Sequence, residues 1–124
     1  MRIELPWPPS TNTYWRHVGS RVLLSKDGRD YRKRVGWIAL ELRLAGVIPK
    51  LPMQDRVKVT ILASPPDQRR RDLDNILKSL LDALTFVGVW EDDSQIDDLR
   101  VIRGLPTPSG SVVVTVEKME QGDG

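Results

Sequence analysis

The stretch VKVTILASPPDQRRRDLDNILKSLLDALTFVG, residues 57–88, changes period half-way, and that change decides the fold. Val57, Val59, Ile61 and Ala63 alternate with Lys58 and Thr60, the period-2 pattern of a half-buried strand, and Ser64-Pro65-Pro66 ends it. From Leu73 the apolar positions become Leu73, Ile76, Leu77, Leu80, Leu81 and Leu84, one stripe along a helix that stops at Gly88. A strand thus hands over to a helix through a proline turn.

The same reading extends to both sides. RIEL near the N-terminus reads as a short strand ended by the prolines of PWPPSTN, after which TYWRHV and RVLLS form a hairpin around Gly19 and Ser20. Tyr31, Val35, Ile38, Leu42 and Ala45 fall at three- and four-residue spacing, which predicts a helix over 25–45 with Ser25 as N-cap and Gly46 as its stop. After the second helix, VWEDDSQIDDL is an acidic connection into the strand LRVIR, and SVVVTVEK supplies the last strand. The pattern predicts a mixed α/β (α+β) fold: one domain over 1–124, one mixed sheet of about five strands, two packed helices, and a tail frayed from about residue 119.

Composition bounds the chemistry. With 124 residues, 40% hydrophobic and 29% charged, the chain has the make-up of a soluble globular domain. No apolar run approaches a membrane span, and the opening MRIELPWPPS lacks the layout of a secretory signal, so a cytoplasmic protein is expected. There is no cysteine and one histidine, His17, which reads as a surface residue. Triad chemistry and zinc-thiolate sites are therefore poorly supplied, and a bound metal would be held by oxygen, which favours magnesium or manganese. The net charge of +2 divides unevenly: residues 1–62 carry twelve Lys or Arg against five acids, and residues 63–124 seven against twelve. A basic half fits a polyanionic partner. Lys26, Arg29, Arg32, Lys33, Arg34 and Arg43 concentrate that charge on the first helix.

Within residues 69–78, RRRDLDNILK, three arginines meet Asp72 and Asp74 just before the second helix. Helix capping is the plain account of such acids. The alternative is that in an extended segment residues i and i+2 point the same way, so both carboxylates aim at one spot. Glu91, Asp92, Asp93, Asp97 and Asp98 form a second acidic cluster, and a return strand could bring it beside the first. Carboxylates held close repel unless a cation lies between them, and paired magnesium ions can clamp the attacking and leaving oxygens of a phosphodiester. On that reading Arg69, Arg70 and Arg71 reach flanking phosphates, and Lys78 either pairs with Asp74 at i,i+4 or donates to transition-state charge. Trp7, Tyr14, Trp15, Trp37 and Trp90 read as core or dimer packing, with Tyr14 and Trp15 the best candidates for base stacking.

LPWPPSTNTYWRH at residues 5–17 and RRRDLDNILKSLLDALTFVGVWEDDSQIDDLRV at residues 69–101 resemble the two signature regions of the RusA family of Holliday-junction resolvases, at that family's spacing. The resemblance implies a homodimeric, magnesium-dependent endonuclease, with manganese as a substitute, that resolves four-way junction DNA by paired symmetric nicks. It places catalytic carboxylates on Asp72, Asp74 and Asp93, the catalytic lysine on Lys78, a further metal-binding acid on Asp92, and DNA contacts on Arg71, Arg69 and Arg70. It implies no organic cofactor, and a phage, prophage or bacterial source. Two other classes compete: a small metal-dependent nucleotide pyrophosphohydrolase, which has little use for the basic half, and a non-catalytic DNA-binding module whose aspartates only cap a helix.

Overall fold

The structure, a computed structural model, describes residues 1–120. Its elements are β1 (Arg2–Pro6), α1 (Thr11–Tyr14), β2 (Trp15–Val18), β3 (Arg21–Leu24), α2 (Lys26–Leu44), β4 (Val57–Ser64), α3 (Leu77–Phe86), β5 (Ile96–Arg103) and β6 (Ser111–Lys118). Single 3-10 turns at Leu73–Ile76 and Asp93–Gln95 bracket α3.

The fold is mixed α/β, as expected, but its parts are divided differently. Four strands form one mixed sheet in the order β1-β6-β4-β5, where only β4 and β5 run parallel. The hairpin β2–β3 stands apart as a two-stranded sheet. Its four-residue strands, carrying Arg16, His17 and Arg21, have no buried face with which to extend a larger sheet. A third helix, α1, is a single turn of TNTY, too short to display a hydrophobic period.

Parallel β4 and β5 require a crossover, and α3 supplies it. The inward residues of β4, Val57, Val59, Ile61 and Ala63, have no exposed surface, and Val112, Val114 and Val116 of β6 lie beside them with Ile3 and Leu5 of β1. Tyr31, Val35 and Ala39 of α2 and Leu80, Ala83 and Leu84 of α3 complete the core, each large apolar side chain contributing about 1.5 to 3 kcal/mol by burial. Ala39 takes the place expected of Ala45, which is exposed. Trp90 is fully buried, with its indole N–H donating to Thr85 Oγ1 at 2.7 Å, whereas Trp37 is 63% exposed and is no core residue.

Both helix boundaries follow their local chemistry. Ser25 Oγ accepts from the Gly28 amide at 3.0 Å, and Gly46 and Gly88 adopt φ +78°, the left-handed region that ends a helix at little cost only for glycine. At the far end of the chain the Met119 amide donates to Arg56 O at 2.9 Å, so the expected fraying does not begin there; residues 121–124 lie outside the described residues. Among the described residues no helix is long and apolar enough to cross a membrane.

Candidate active site

The arginine run follows β4 as an exposed turn, and an acid the sequence reading passed over organises it. Asp67 accepts from Arg71 Nη1 at 2.6 Å and from the Arg69 amide at 2.9 Å, with Arg69 Nε at 3.7 Å. The hydrogen bond from Arg71, then that from the Arg69 amide, holds the Asp67 carboxyl at a pKa of about 2, below its ordinary 3.8. Arg103 closes the turn from β5, donating to Arg71 O at 2.6 Å. Arg71 is therefore committed to the turn. Arg70 is exposed and, among the described residues, enters no hydrogen bond or ion pair, while Arg69 keeps a side chain 84% exposed.

Asp72 occupies the N-cap position of the first 3-10 turn, but its side chain makes no capping hydrogen bond. Asp74 lies inside that turn, so the two are not neighbours on an extended segment and the expectation that they aim at one spot for that reason is not met. Both are exposed, and neither is engaged by a cationic side chain among the described residues. Lys78, in the first turn of α3, does not form the i,i+4 pair with Asp74 and is likewise free of ion pairs there.

Lys78, Asp82 and Thr85 fall on one stripe of α3 and form one wall of a cleft of about 730 Å³. Trp15, His17 and Val22 line it from the hairpin, because residues i and i+2 of β2 share a face and His17 is paired with Val22 across the hairpin. Thr11 and Asn12 of α1 close one end, and Asp92 and Asp93 of the second 3-10 turn reach the cleft from the loop after α3. His17 is exposed, as expected, yet it faces this cleft.

Not every acid in the cleft is free. Asp82 accepts from Arg32 Nη2 at 2.8 Å and from the Tyr14 hydroxyl, and the Arg32 guanidinium lies 4.4 Å over the Phe86 ring. Burial, then the Asp82 hydrogen bond, pushes the Tyr14 hydroxyl well above its ordinary value. Tyr14 has no exposed surface, which removes it as a stacking surface and leaves Trp15. Asp82 was legible as the residue one turn beyond Lys78, but its partners are 50 and 68 residues distant in sequence.

A buried amide fixes the acidic turn. Gln95, 8% exposed, accepts from the Asp92 amide at 2.9 Å and donates to Met53 O and Asp55 O, both at 2.9 Å. Asp92 accepts from the Ser94 hydroxyl at 2.5 Å, which lowers its pKa, and Asp93 has no ion-pair partner among the described residues. The remaining acids of the cluster are spent elsewhere: Glu91 accepts from Gln54, and on β5 Asp97 pairs with Arg56 and Asp98 with Arg100.

The two acidic groups therefore do not converge as expected. Asp72 and Asp74 follow the C-terminal end of β4, Asp92 and Asp93 precede the N-terminal end of β5, and a parallel pair places those ends at opposite sides of the sheet. The ten residues of α3 between them rise about 15 Å. Among the described residues no three Asp, Glu or His side chains gather where they could hold a metal ion. The donors still fit a hard divalent cation, because they are carboxylate oxygens and magnesium needs only one or two of them, with water and phosphate oxygens completing its shell.

Comparison with known proteins places the chain. A family profile described as Endodeoxyribonuclease RusA matches residues 6–117. The chain belongs to the RusA family. It is 47% identical over 116 residues to the crossover junction endodeoxyribonuclease of Enterobacteria phage HK97, a match spanning 94% of this chain and 92% of the relative. It is also 41% identical over 117 residues to proteins of the same description from Enterobacteria phage 82 and Escherichia coli K12, covering 94% of this chain and 93% of each. The two stretches that carry the RusA resemblance also wall the cleft: Thr11, Asn12, Trp15 and His17 come from the first, and Lys78, Asp92 and Asp93 from the second.

Proposed function

We propose that this chain is a magnesium-dependent endodeoxyribonuclease that resolves four-way DNA junctions by paired, symmetric phosphodiester hydrolysis, acting as a homodimer in recombination and repair. The observation that carries the reading is the meeting of Lys78 with Asp92 and Asp93 in one cleft of a chain that belongs to the RusA family. Asp93 and Asp92 would hold the cation in the cleft, and Asp72 and Asp74, at the other end of α3, are a second carboxylate pair assigned by the family resemblance. Magnesium, or manganese in its place, supplies a water of lowered pKa and offsets phosphate charge when bound. Lys78, with no acid to satisfy it among the described residues, gives its ammonium group to the charge that develops on the phosphate. Arg70 and Arg69 contact flanking phosphates, and Arg71 holds their turn in place through Asp67. Lys26, Arg29, Lys33 and Arg34 of α2 extend the phosphate-binding surface. Two cuts related by twofold symmetry need two sites at a fixed separation, which a C2 dimer provides. Hydrolysis needs no organic cofactor, and the phage and bacterial sources of the relatives point to DNA in the bacterial cytoplasm.

The capping account of the non-catalytic alternative is weakened because Asp72 makes no capping bond. The test is a synthetic four-way junction, end-labelled in each arm, incubated with magnesium or chelator beside a linear duplex and an Asp72→Asn variant. Symmetric paired nicks in the junction alone, with magnesium alone, and none from the variant are expected. Tight junction binding without cleavage under any divalent ion would leave a binding module, and turnover of nucleoside triphosphates in its place would indicate the pyrophosphohydrolase.

A further inference from the structure

The cleft has two unlike walls, and the function proposed above uses only one of them. On the α3 side stand the charged groups, Lys78 with Asp92 and Asp93. Asp82, on the same side, is already neutralised by Arg32. On the hairpin side stands Trp15, half-buried, its ring held edge-on by the fully buried Tyr14 at 4.9 Å between centroids and 83° between planes. Val22 continues this wall, and Asn12, exposed and outside any side-chain hydrogen bond among the described residues, lies at its end.

A ligand complementary to both walls carries an anionic phosphodiester joined to a flat heterocycle with an apolar face and a polar edge. We propose that the hairpin wall is a nucleobase subsite, in which Trp15 stacks on one unpaired base next to the cut phosphate while Asn12 faces that base's hydrogen-bonding edge. The inference rests on the nuclease reading and extends it to substrate choice. A base can reach a ring inside a cleft only after leaving its own stack, a step that costs least where pairing is already interrupted. At the crossover of a four-way junction the continuous stack is broken, so a base leaves its pair there more readily than within a continuous duplex. Trp15 therefore ties recognition of the branch to the position of the cut. The sequence had offered Trp15 for stacking on no more than its place beside a hairpin. The structure adds that it lines the same cleft as Lys78 and Asp93, of about 730 Å³, within the size range of small-molecule sites.

The test measures junction affinity without divalent metal for wild type, Trp15→Phe and Trp15→Ala, on an intact junction and on junctions with one abasic nucleotide on either side of the cut. Trp15→Ala should bind the intact junction about 5- to 150-fold more weakly, the range for loss of one base–aromatic stack, and Trp15→Phe should retain most of the affinity. The loss should vanish on one of the abasic junctions, and wild type alone should show the matching penalty there, a readout independent of whether the variant folds. Equal losses on intact and abasic junctions would make Trp15 a structural prop of the hairpin and overturn the proposal. So would an unchanged wild-type affinity for both abasic junctions. If wild type cuts junctions and either result is found, the base subsite falls while the nuclease reading stands; if wild type neither prefers nor cuts junctions, both fall.

Discussion

Lys78 carries a charge that no acid among the described residues neutralises, although Asp74 and Asp82 sit one turn before and after it. A side chain kept for packing or pairing would not be left this way, so its removal should cost the reaction and not the fold. Lys78→Ala is expected to lower the rate of junction cutting by about 10²- to 10³-fold, as for loss of one transition-state donor, with junction binding retained. Its thermal unfolding should match wild type, and a large loss of stability would show Lys78 to be structural. Asp67 makes the opposite prediction, since its work is structural. Its folded pKa of about 2 lies below the ordinary 3.8, so the pairing with Arg71 contributes stability that is complete above pH 4 and is lost as pH falls from about 4 towards 2. Following the Asp67 carboxyl by NMR titration in wild type and Arg71→Ala should show the depressed midpoint return to the ordinary range in the variant. Both residues lie within twelve positions of each other, and only their partners tell them apart.

At the scale of elements, the cleft depends on how the first turn of α2 packs beneath α1 and the hairpin. A Cβ on Gly28 would lie 2.5 Å from the Tyr14 carbonyl oxygen and 2.8 Å from Leu24 Cδ1, so the helix can approach this closely only without one. Alanine gains up to about 1 kcal/mol in helix propensity, but a backbone oxygen cannot move aside as a flexible side chain can. Gly28→Ala is expected to lose about 1 to 3 kcal/mol in urea unfolding and to weaken junction binding through displacement of Trp15. A variant as stable as wild type or more so would mean that α2 can retreat from Tyr14 without consequence. The helix itself was legible from the three- and four-residue spacing around Tyr31 and Val35. Its closeness to Tyr14 was not, because Gly28 and Tyr14 share no local pattern.

At the scale of the whole molecule, α2 presents an apolar surface to solvent. Trp37 at 63%, Leu40 at 47% and Leu44 at 82% exposure line the side of α2 opposite its buried stripe, with Leu51 at 79% just beyond. Surfaces of this kind mark interaction sites, and two symmetric cuts call for a second copy. Trp37→Glu is therefore expected to convert a dimer into a monomer in sedimentation at unchanged thermal stability, and paired cuts into unpaired nicks. Persistence of the dimer in that variant would move the interface elsewhere. Of the reading of Trp37 as core or dimer packing, its exposure removes the core half, while Trp90, of the same residue type, went wholly into the core.

The sequence by itself determined the parts. Period-2 and 3.6-residue spacing, proline breaks, the Ser25 cap and two glycine stops are local properties of the chain, so β4, α2, α3 and β6 could be read without a structure. The residue types of the site, and a family resemblance the comparisons support, were equally legible. Only the tertiary structure decided which of those residues meet. The parallel pairing of β4 with β5 carries Asp72 and Asp74 away from Asp92 and Asp93 across the length of α3, against the expectation of one cluster. Packing of α1, which leads into the hairpin, against α3 brings Trp15 and His17 into one cleft with Lys78, more than 60 positions away in sequence. Strand order and long-range packing answer to the balance of the whole core, and no short stretch of sequence contains that balance.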